Sequence, residues 1–392
     1  MTSSHSVSFS STEIDTLKSW TETERQNLCL TIWVDSVSLQ IALCPINSSR
    51  KPIYQQPMPI QKASDLNQAF ENLRLSFAQY HCTVIYSTMS FAGPVLQDHV
   101  VVTNWKCEAR ERVIHFTLLP FDLFPLDRRR FMNDLEAASY GIISRSTNGS
   151  LNSIFSTLWT NEGIDGSNSI SLKGSSLVLF IGSGFGVSYI SRIDSLEHNC
   201  VISSEAGHNH AVLCSPDNPK YNLEYHFVQF VSQKLHGGSH MPEWEDLCAC
   251  RGLELAYQFI QSQQNQSFNS VISINQESTL NYSQIRNLAK SGNPSAKTAF
   301  ELHYRFLMRA AQTMVFGIQC KRVFIIGQPQ VENYPLVMEL QSQLKETFED
   351  HPKRDWINKI TVYVQKETST FPLSGGLFLS RLFAKSRQNQ SH

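Results

Sequence analysis

Asn133 and Asp134 stand together in FMNDLEAASYGI, where a loop enters a helix. A carboxylate so placed can act as a general base towards a hydroxyl, with the neighbouring amide holding that hydroxyl. The same pair is also a common helix N-cap. Glu205 and His208 lie three residues apart in SEAGH, separated by Ala-Gly, so an acceptor and an imidazole can reach one polar ligand. A solvated turn would use the same residues. Glu245, in PEWEDLCACRGLELAY, opens another helix, where the helix dipole alone would favour an acid. Together these side chains have the mix of donors and acceptors that a polyol demands.

A further feature is the turn Gly182-Ser183-Gly184-Phe185-Gly186. Glycines let successive backbone N–H groups turn inward and cradle a phosphate, and Ser183 adds a hydroxyl. A tight hairpin would also be glycine-rich. No Gly-Lys-Ser/Thr follows, so this is not a Walker A loop. A strand follows rather than a helix, which excludes a dinucleotide fingerprint, and Ile181 excludes a nucleophile elbow.

The elements that must position these residues alternate between strand and helix. LCLTIWV (28–34) and SLQIALC (38–44) read as a hairpin, AFENLRLSFAQYH (69–81) as a helix, and CTVIYS (82–87) as a buried strand. HVVVTN (99–104) is a further strand, and DRRRFMNDLEAASYGIIS reads as a turn leading into a helix. LVLFIG and VSYISRI flank the glycine turn, and NCVISSE makes a third strand. The two hairpins share a plan of buried strand, tight turn, alternating strand, third strand and helix, which suggests a faint duplication. Beyond residue 220 the chain is rich in helices, with strands at KRVFIIG (321–327) and KITVYVQ (359–365). SGGLFLSRLFAKS (374–386) is expected to start a helix at its glycine pair. The pattern is α/β with mixed sheets.

Composition narrows the classes. At 392 residues, two domains are the default. Lys plus Arg is 33 and Asp plus Glu is 34, so no basic surplus points to nucleic acid or a membrane surface. No apolar run approaches the roughly 18–20 residues of a membrane span, and MTSSHSVSFSSTEID lacks a signal-peptide pattern. The nine cysteines read as reduced thiols of a cytoplasmic protein. Cys214, Cys248, Cys250, His208 and His210 match no standard zinc spacing.

Taken in order, these pieces resemble the bacterial-type glucokinase family, sugar kinases with a duplicated ribonuclease-H-like, actin-like ATPase fold. The resemblance covers nearly the whole chain after residue 26. MNDLEAASYGI is similar to the family's N-D-[FL] motif and implies Asp134 as the base that deprotonates the sugar 6-hydroxyl, with Asn133 beside it. SEAGH resembles E-x-G-H and EDLCACRGLELAY the family's later glutamate segment, implying that Glu205, His208 and Glu245 bind sugar hydroxyls. FIGSGFGVSYI resembles the G-x-G-x-G turn and VFIIGQ the nucleotide-side strand, implying that Gly182, Ser183, Gly184, Gly186 and Gly327 meet phosphate. SFAGPV and VVVTNWKC resemble the family's A-G-P-V…L-T-N-x-W run. The family's D-x-G-G-T, which contacts phosphate and helps organise magnesium, is replaced by TIWVDSVSLQIALC. Asp35 stands near the aspartate position if the turn is shorter; an ungapped reading puts Trp33 there. Gln328 replaces the second glycine of the nucleotide strand, and Ala249-Cys250-Arg251 interrupts S-G-x-G.

The resemblance implies ATP-dependent phosphorylation of glucose or a similar hexose at O6, in glycolysis, with ATP and Mg²⁺ and no metal held by protein ligands alone. ADP and polyphosphate are other donors to consider, and a homodimer is compatible with the family. The rival is a sugar-binding pseudokinase without ATP use. The expected organisation is a loose arm at 1–25 with a short helix near Glu13–Trp20, a small α/β domain (26–132 and 376–392), and a large α/β domain (133–375). A cleft between the two domains would hold Asp134, Glu205, His208 and Glu245. The Ser/Asn/Gly-rich stretch 145–176 reads as an insertion with one short element at SIFSTLW.

Overall fold

The structure is a computed structural model that describes residues 9–35, 37–46, 50–160, 170–193, 198–266 and 280–388. The chain forms two compact units, residues 1–148 with 370–392, and residues 149–369.

The first unit is built on a mixed sheet. Strands β1 (Leu28–Val34) and β2 (Ser38–Pro45) form an antiparallel hairpin with Cys29 opposite Cys44 and Val34 opposite Leu39. Strands β3 (Val84–Phe91) and β4 (Arg129–Asn133) add in parallel, in the order β2-β1-β3-β4, and the short stretches 53–54 and 58–59 pair along β2. β1 is apolar at nearly every position because both faces are covered. Leu28, Leu30, Ile32 and Val34 pack with helix α2 (Ala63–Gln79), which buries Leu66, Phe70, Leu73 and Phe77 at helical spacing. On the other face lie helix α3 (Asp134–Thr147) and the C-terminal helix α9 (Phe371–Gln388).

Three expectations change here. Residues 9–25 are not a loose arm. Helix α1 (Ser11–Ser19) is closed by a capping box in which Ser10 and Glu13 exchange hydrogen bonds, and Phe9, Leu17 and Trp20 are buried in the core of the unit. Residues 1–8 of that arm lie outside the described residues. The division between units falls after Asn148 rather than before Asn133, because α3 packs on α9. The glycine pair lies inside α9 rather than at its start. A Cβ on Gly375 would sit 1.8 Å from the Ala137 carbonyl oxygen, and one on Gly376 would sit 2.4 Å from Thr31 Cγ2. Glycine therefore serves close backbone packing at this helix crossing, where the pattern suggested a helix start.

The second unit repeats the sheet plan. Strands β6 (Ser176–Ile181) and β7 (Phe185–Ile193) form the glycine-turn hairpin, β8 (His198–Ser204) extends it, and β9 (Arg322–Ile326) and β10 (Thr361–Gln365) add in parallel to β6. In both sheets the first hairpin strand is central and carries two successive parallel strands on its far side. The duplication is thus one of topology. Within the 145–176 stretch, β5 (Phe155–Trp159) is an antiparallel edge strand on β10, so part of the presumed insertion is structural; residues 161–169 lie outside the described residues. Helices α4 (Tyr221–His236), α5 (Trp244–Cys248), α6 (Cys250–Gln266) and α7 (Pro294–Met314) build the core against this sheet. Buried Glu224 on α4 accepts from Arg305 Nη2 at 2.6 Å and from Arg309 Nε at 2.9 Å, so its charge is paired.

Candidate active site

In an open α/β sheet, ligands meet the carboxyl ends of the parallel strands. In the first unit, β4 ends at Asn133 and α3 begins at Asp134. Asn133 is the N-cap: its Oδ1 accepts from Leu135 N at 2.8 Å, and its Nδ2 donates to the Gly93 carbonyl at 3.0 Å. The cap reading of this pair is realised, and the same side chain also fixes the Gly93-Pro94 turn at the end of β3. Asp134 is half-buried. Loss of water raises its pKa to about 7, opposed by the Leu135 amide and reinforced by the like charge of Asp35. A carboxylate tuned to that range is suited to accept a proton at neutral pH.

Asp35 is committed to the β1–β2 turn. Its Oδ1 accepts from the amides of Val37 and Ser38 at 2.7 Å each, and its Oδ2 from the Ser38 hydroxyl at 2.8 Å. It builds the turn that glycines build in the family motif. Trp33 is the penultimate residue of β1, ahead of this turn.

In the second unit, the segment after β8 runs beside the segment leading into α5. Ala211 N donates to Pro242 O, and Trp244 N to Asn209 O. This places His208 Nδ1 2.7 Å from Glu243 Oε2, with Nε2 3.8 Å from Glu205 Oε2. The Glu243 hydrogen bond, followed by the charges of Glu245 and Glu205, raises the His208 pKa. Gly207 is required because a Cβ would meet the Phe185 carbonyl oxygen at 2.3 Å. Glu245 Oε2 accepts from Phe185 N at 3.1 Å, and its Oε1 is 3.4 Å from Arg251 Nη2, which also pairs with Asp246 at 2.6 Å. Glu205, His208 and Glu245 therefore gather around the glycine turn. The Glu205 and His208 side chains are 69% and 54% exposed, open to a polar ligand.

The turn itself spans Gly182-Ser183-Gly184, with Gly182 N donating to Gly184 O, while Gly186 is already in β7 opposite Phe180. Gly327 follows β9 with φ +126 and caps helix α8 (Gln328–Glu339). A Cβ there would lie 2.1 Å from Ile181 O, so the helix N-terminus is drawn against the glycine-turn strand. Gly327 N donates to Gln365 Oε1 at 2.9 Å at the end of β10. Sequence reading did not find Glu243, which orients the histidine, or Gln365. Neither belongs to a motif, and only the pairing of distant strands brings them in. It also gave no site role to Arg251, which tethers Glu245. Among the described residues, no group of three or more His, Cys, Asp and Glu is arranged to hold a metal ion.

Two topologically matched sheets, one followed by the Asp134 helix and the other carrying a glycine turn beside Glu205, His208 and Glu245, have the duplicated ribonuclease-H-like, actin-like ATPase fold. The family model described as Glucokinase matches residues 37–375. Glucokinase 1 of Trichomonas vaginalis is 30% identical over 97% of this chain and 100% of its own. A probable glucokinase 2 of the same organism is 27% identical over 91% and 93%. Among solved structures, glucokinase from Balamuthia mandrillaris in complex with glucose superposes with a TM-score of 0.84 at 25% identity, covering 95% of this chain and 100% of that one. Leishmania braziliensis glucokinase gives 0.74 at 20% identity, covering 93% and 95%, and supports the fold. The chain belongs to the glucokinase family.

Proposed function

We propose that this chain phosphorylates glucose at O6 from ATP, with Asp134 accepting the hydroxyl proton and Glu205, His208 and Glu245 binding the sugar hydroxyls. Membership of the glucokinase family carries ATP-dependent glucose phosphorylation. The observation that supports the residue assignment best is Asp134 itself, a half-buried carboxylate at a strand-to-helix junction with a pKa near 7. Asn133 holds the junction and the Gly93 turn in place, so the base is aimed by main chain rather than by a mobile side chain. In the second unit, the raised pKa of His208 makes it a donor, while Glu205 and Glu245 accept. Such a set binds a polyol through several hydroxyls at once and rejects ligands lacking them.

The phosphate side fits ATP. The Gly182–Gly184 turn and the N-terminus of α8 behind Gly327 offer main-chain N–H groups to polyphosphate. Mg²⁺, when bound with the nucleotide, would neutralise charge on the phosphates. Because Asp35 is spent on its turn and Trp33 cannot ligate, the fit is for a cation carried mainly by the nucleotide's own oxygens. On this reading Asp35 shapes the turn that borders the phosphates. A glycolytic role in the cytoplasm is part of the same proposal. No helix among the described residues is long and apolar enough to cross a membrane.

The test is a coupled glucose-phosphorylation assay with ATP, ADP and polyphosphate as alternative donors. Asp134→Ala is expected to lose turnover by about 10³-fold, within the usual 10²–10⁴ for a general base, while calorimetric glucose binding persists. Glucose binding by the unaltered protein with no turnover on any donor would refute the kinase reading.

A further inference from the structure

Trp33 occupies the position where an ungapped reading sets the family's hairpin aspartate. Side chains alternate along β1, so Cys29, Thr31 and Trp33 share one face. Cys29 and Trp33 pack with Leu373, Leu377 and Phe383 of α9, and Thr31 bonds Thr88 at 2.9 Å. Parallel pairing sets Trp33 level with Ser90 on β3, and Ser90 level with Met132 on β4. Asp134 follows Met132 by two residues and opens α3, so both side chains belong to the carboxyl edge of one sheet. The indole Nε1 of Trp33 is buried and has no hydrogen-bond partner. An unused buried N–H is costly, and a native site is expected to put it to use. Trp33 nonetheless favours the ionised carboxylate of Asp134, though the pair stops short of hydrogen-bond geometry. The like charge of Asp35, across the hairpin turn, acts on Asp134 in the opposite sense. Glu136, on the first turn of α3, is tied to Arg130 of β4 at 2.5 Å.

We propose that Trp33 is a positioning residue for Asp134, its indole N–H donating to the carboxylate when the base is ionised and setting the orientation in which it receives the hydroxyl proton. The proposal rests on Asp134 as the base. The hairpin thereby supplies a neutral donor where an acid would have added a second negative charge beside the base. The indole has only two side-chain torsions and is packed by α9, so the donor is held in advance.

Trp33→Phe keeps the ring packing and removes the N–H. Losing a donor to the charged form raises the pKa of the base, so the acidic limb of the kcat–pH profile moves up by about 0.5–1 unit. At pH 6.5 this lowers the rate by about 3–10-fold beyond any loss on the high-pH plateau, while the glucose KM stays within about twofold. A folded Trp33→Phe protein with an unmoved limb overturns the proposal. The second measurement needs no tryptophan variant. The unaltered protein, labelled with ¹⁵N-tryptophan, shows six indole resonances. One should titrate near pH 7 and lose that titration in Asp134→Asn. Six pH-invariant resonances also overturn the proposal. If the titration is seen but Asp134→Ala still turns over, the hydrogen bond stands and the assignment of the base falls.

Discussion

Asp134 shows how a residue's environment creates its chemistry. An aspartate at a helix start in water would be a permanent anion and a poor base. Here burial, and then Asp35, raise it to about 7, so half of the protein carries an ionised Asp134 near neutrality. Turnover should therefore rise with pH through about 6–8. The same shift has a stability consequence. The unfolded group titrates near 3.8 and the folded one near 7, so between these values the folded state binds the extra proton, and stability falls as pH rises across the window. Asp134→Asn removes that penalty. The inactive variant should melt at a higher temperature than the unaltered protein at pH 8, and scanning calorimetry should show the gain vanishing below about pH 4. A variant that melts lower at pH 8 would contradict the buried-carboxylate account. Asp35 shows the opposite use of the same residue type, with three short hydrogen bonds spending its carboxylate on a turn.

At the level of elements, the decisive contact is α3 against α9. Asp134 begins α3, and α3 is fixed by glycines that let helix backbones touch. A Cβ on Gly141 would meet the Phe371 carbonyl oxygen at 2.4 Å, and one on Gly375 the Ala137 carbonyl oxygen at 1.8 Å. Gly→Ala inside a helix ordinarily raises helix stability by up to about 1 kcal/mol. At Gly375 overpacking should reverse the sign and cost about 1–3 kcal/mol or more, because the neighbouring atom is main chain and cannot swing away. Thermal melting of Gly375→Ala beside Ser386→Ala, an exposed position on the same helix, checks this. Equal melting temperatures would show that the crossing relaxes cheaply. In the second unit, Gly207 and Gly327 serve the same purpose, since each lets one backbone approach another where a side chain would intrude.

For the whole molecule, a helix late in the sequence completes the unit built by residues 1–148. Leu373, Leu377 and Leu379 on α9 are buried in the unit that also holds residues 9–148. Truncation at residue 369 removes α9 from the face of the β1–β2–β3–β4 sheet that it shares with α3, exposing Cys29, Ala42 and Cys44 there. Apolar burial is worth roughly 25 cal/mol per Å², so loss of a whole helix face exceeds what a marginally stable unit can bear. The truncated chain should lose hydrogen-exchange protection across 28–91 while the second unit keeps protection in β6, β9 and β10. Uniform protection in both units would show that α9 is dispensable.

The sequence alone determined the alternating strand and helix pattern, the glycine turn, and the identities at Asp134, Glu205, His208 and Glu245. These are local: period, turn chemistry and residue type within a few positions carry them. It could not show that the Asn133 side chain also bonds Gly93, or that Glu243 orients His208 and Gln365 receives Gly327. Each of those links joins residues 35 to 40 positions apart, and nothing in local spacing encodes them. The glycine pair in α9 was visible, but its reason was not, because a glycine that starts a helix and one that lets two helices touch look alike in sequence. Only the tertiary structure decided between them. Close approach and loss of water depend on what packs from elsewhere in the chain, and those two effects set the pKa of Asp134 and the fit of the turns.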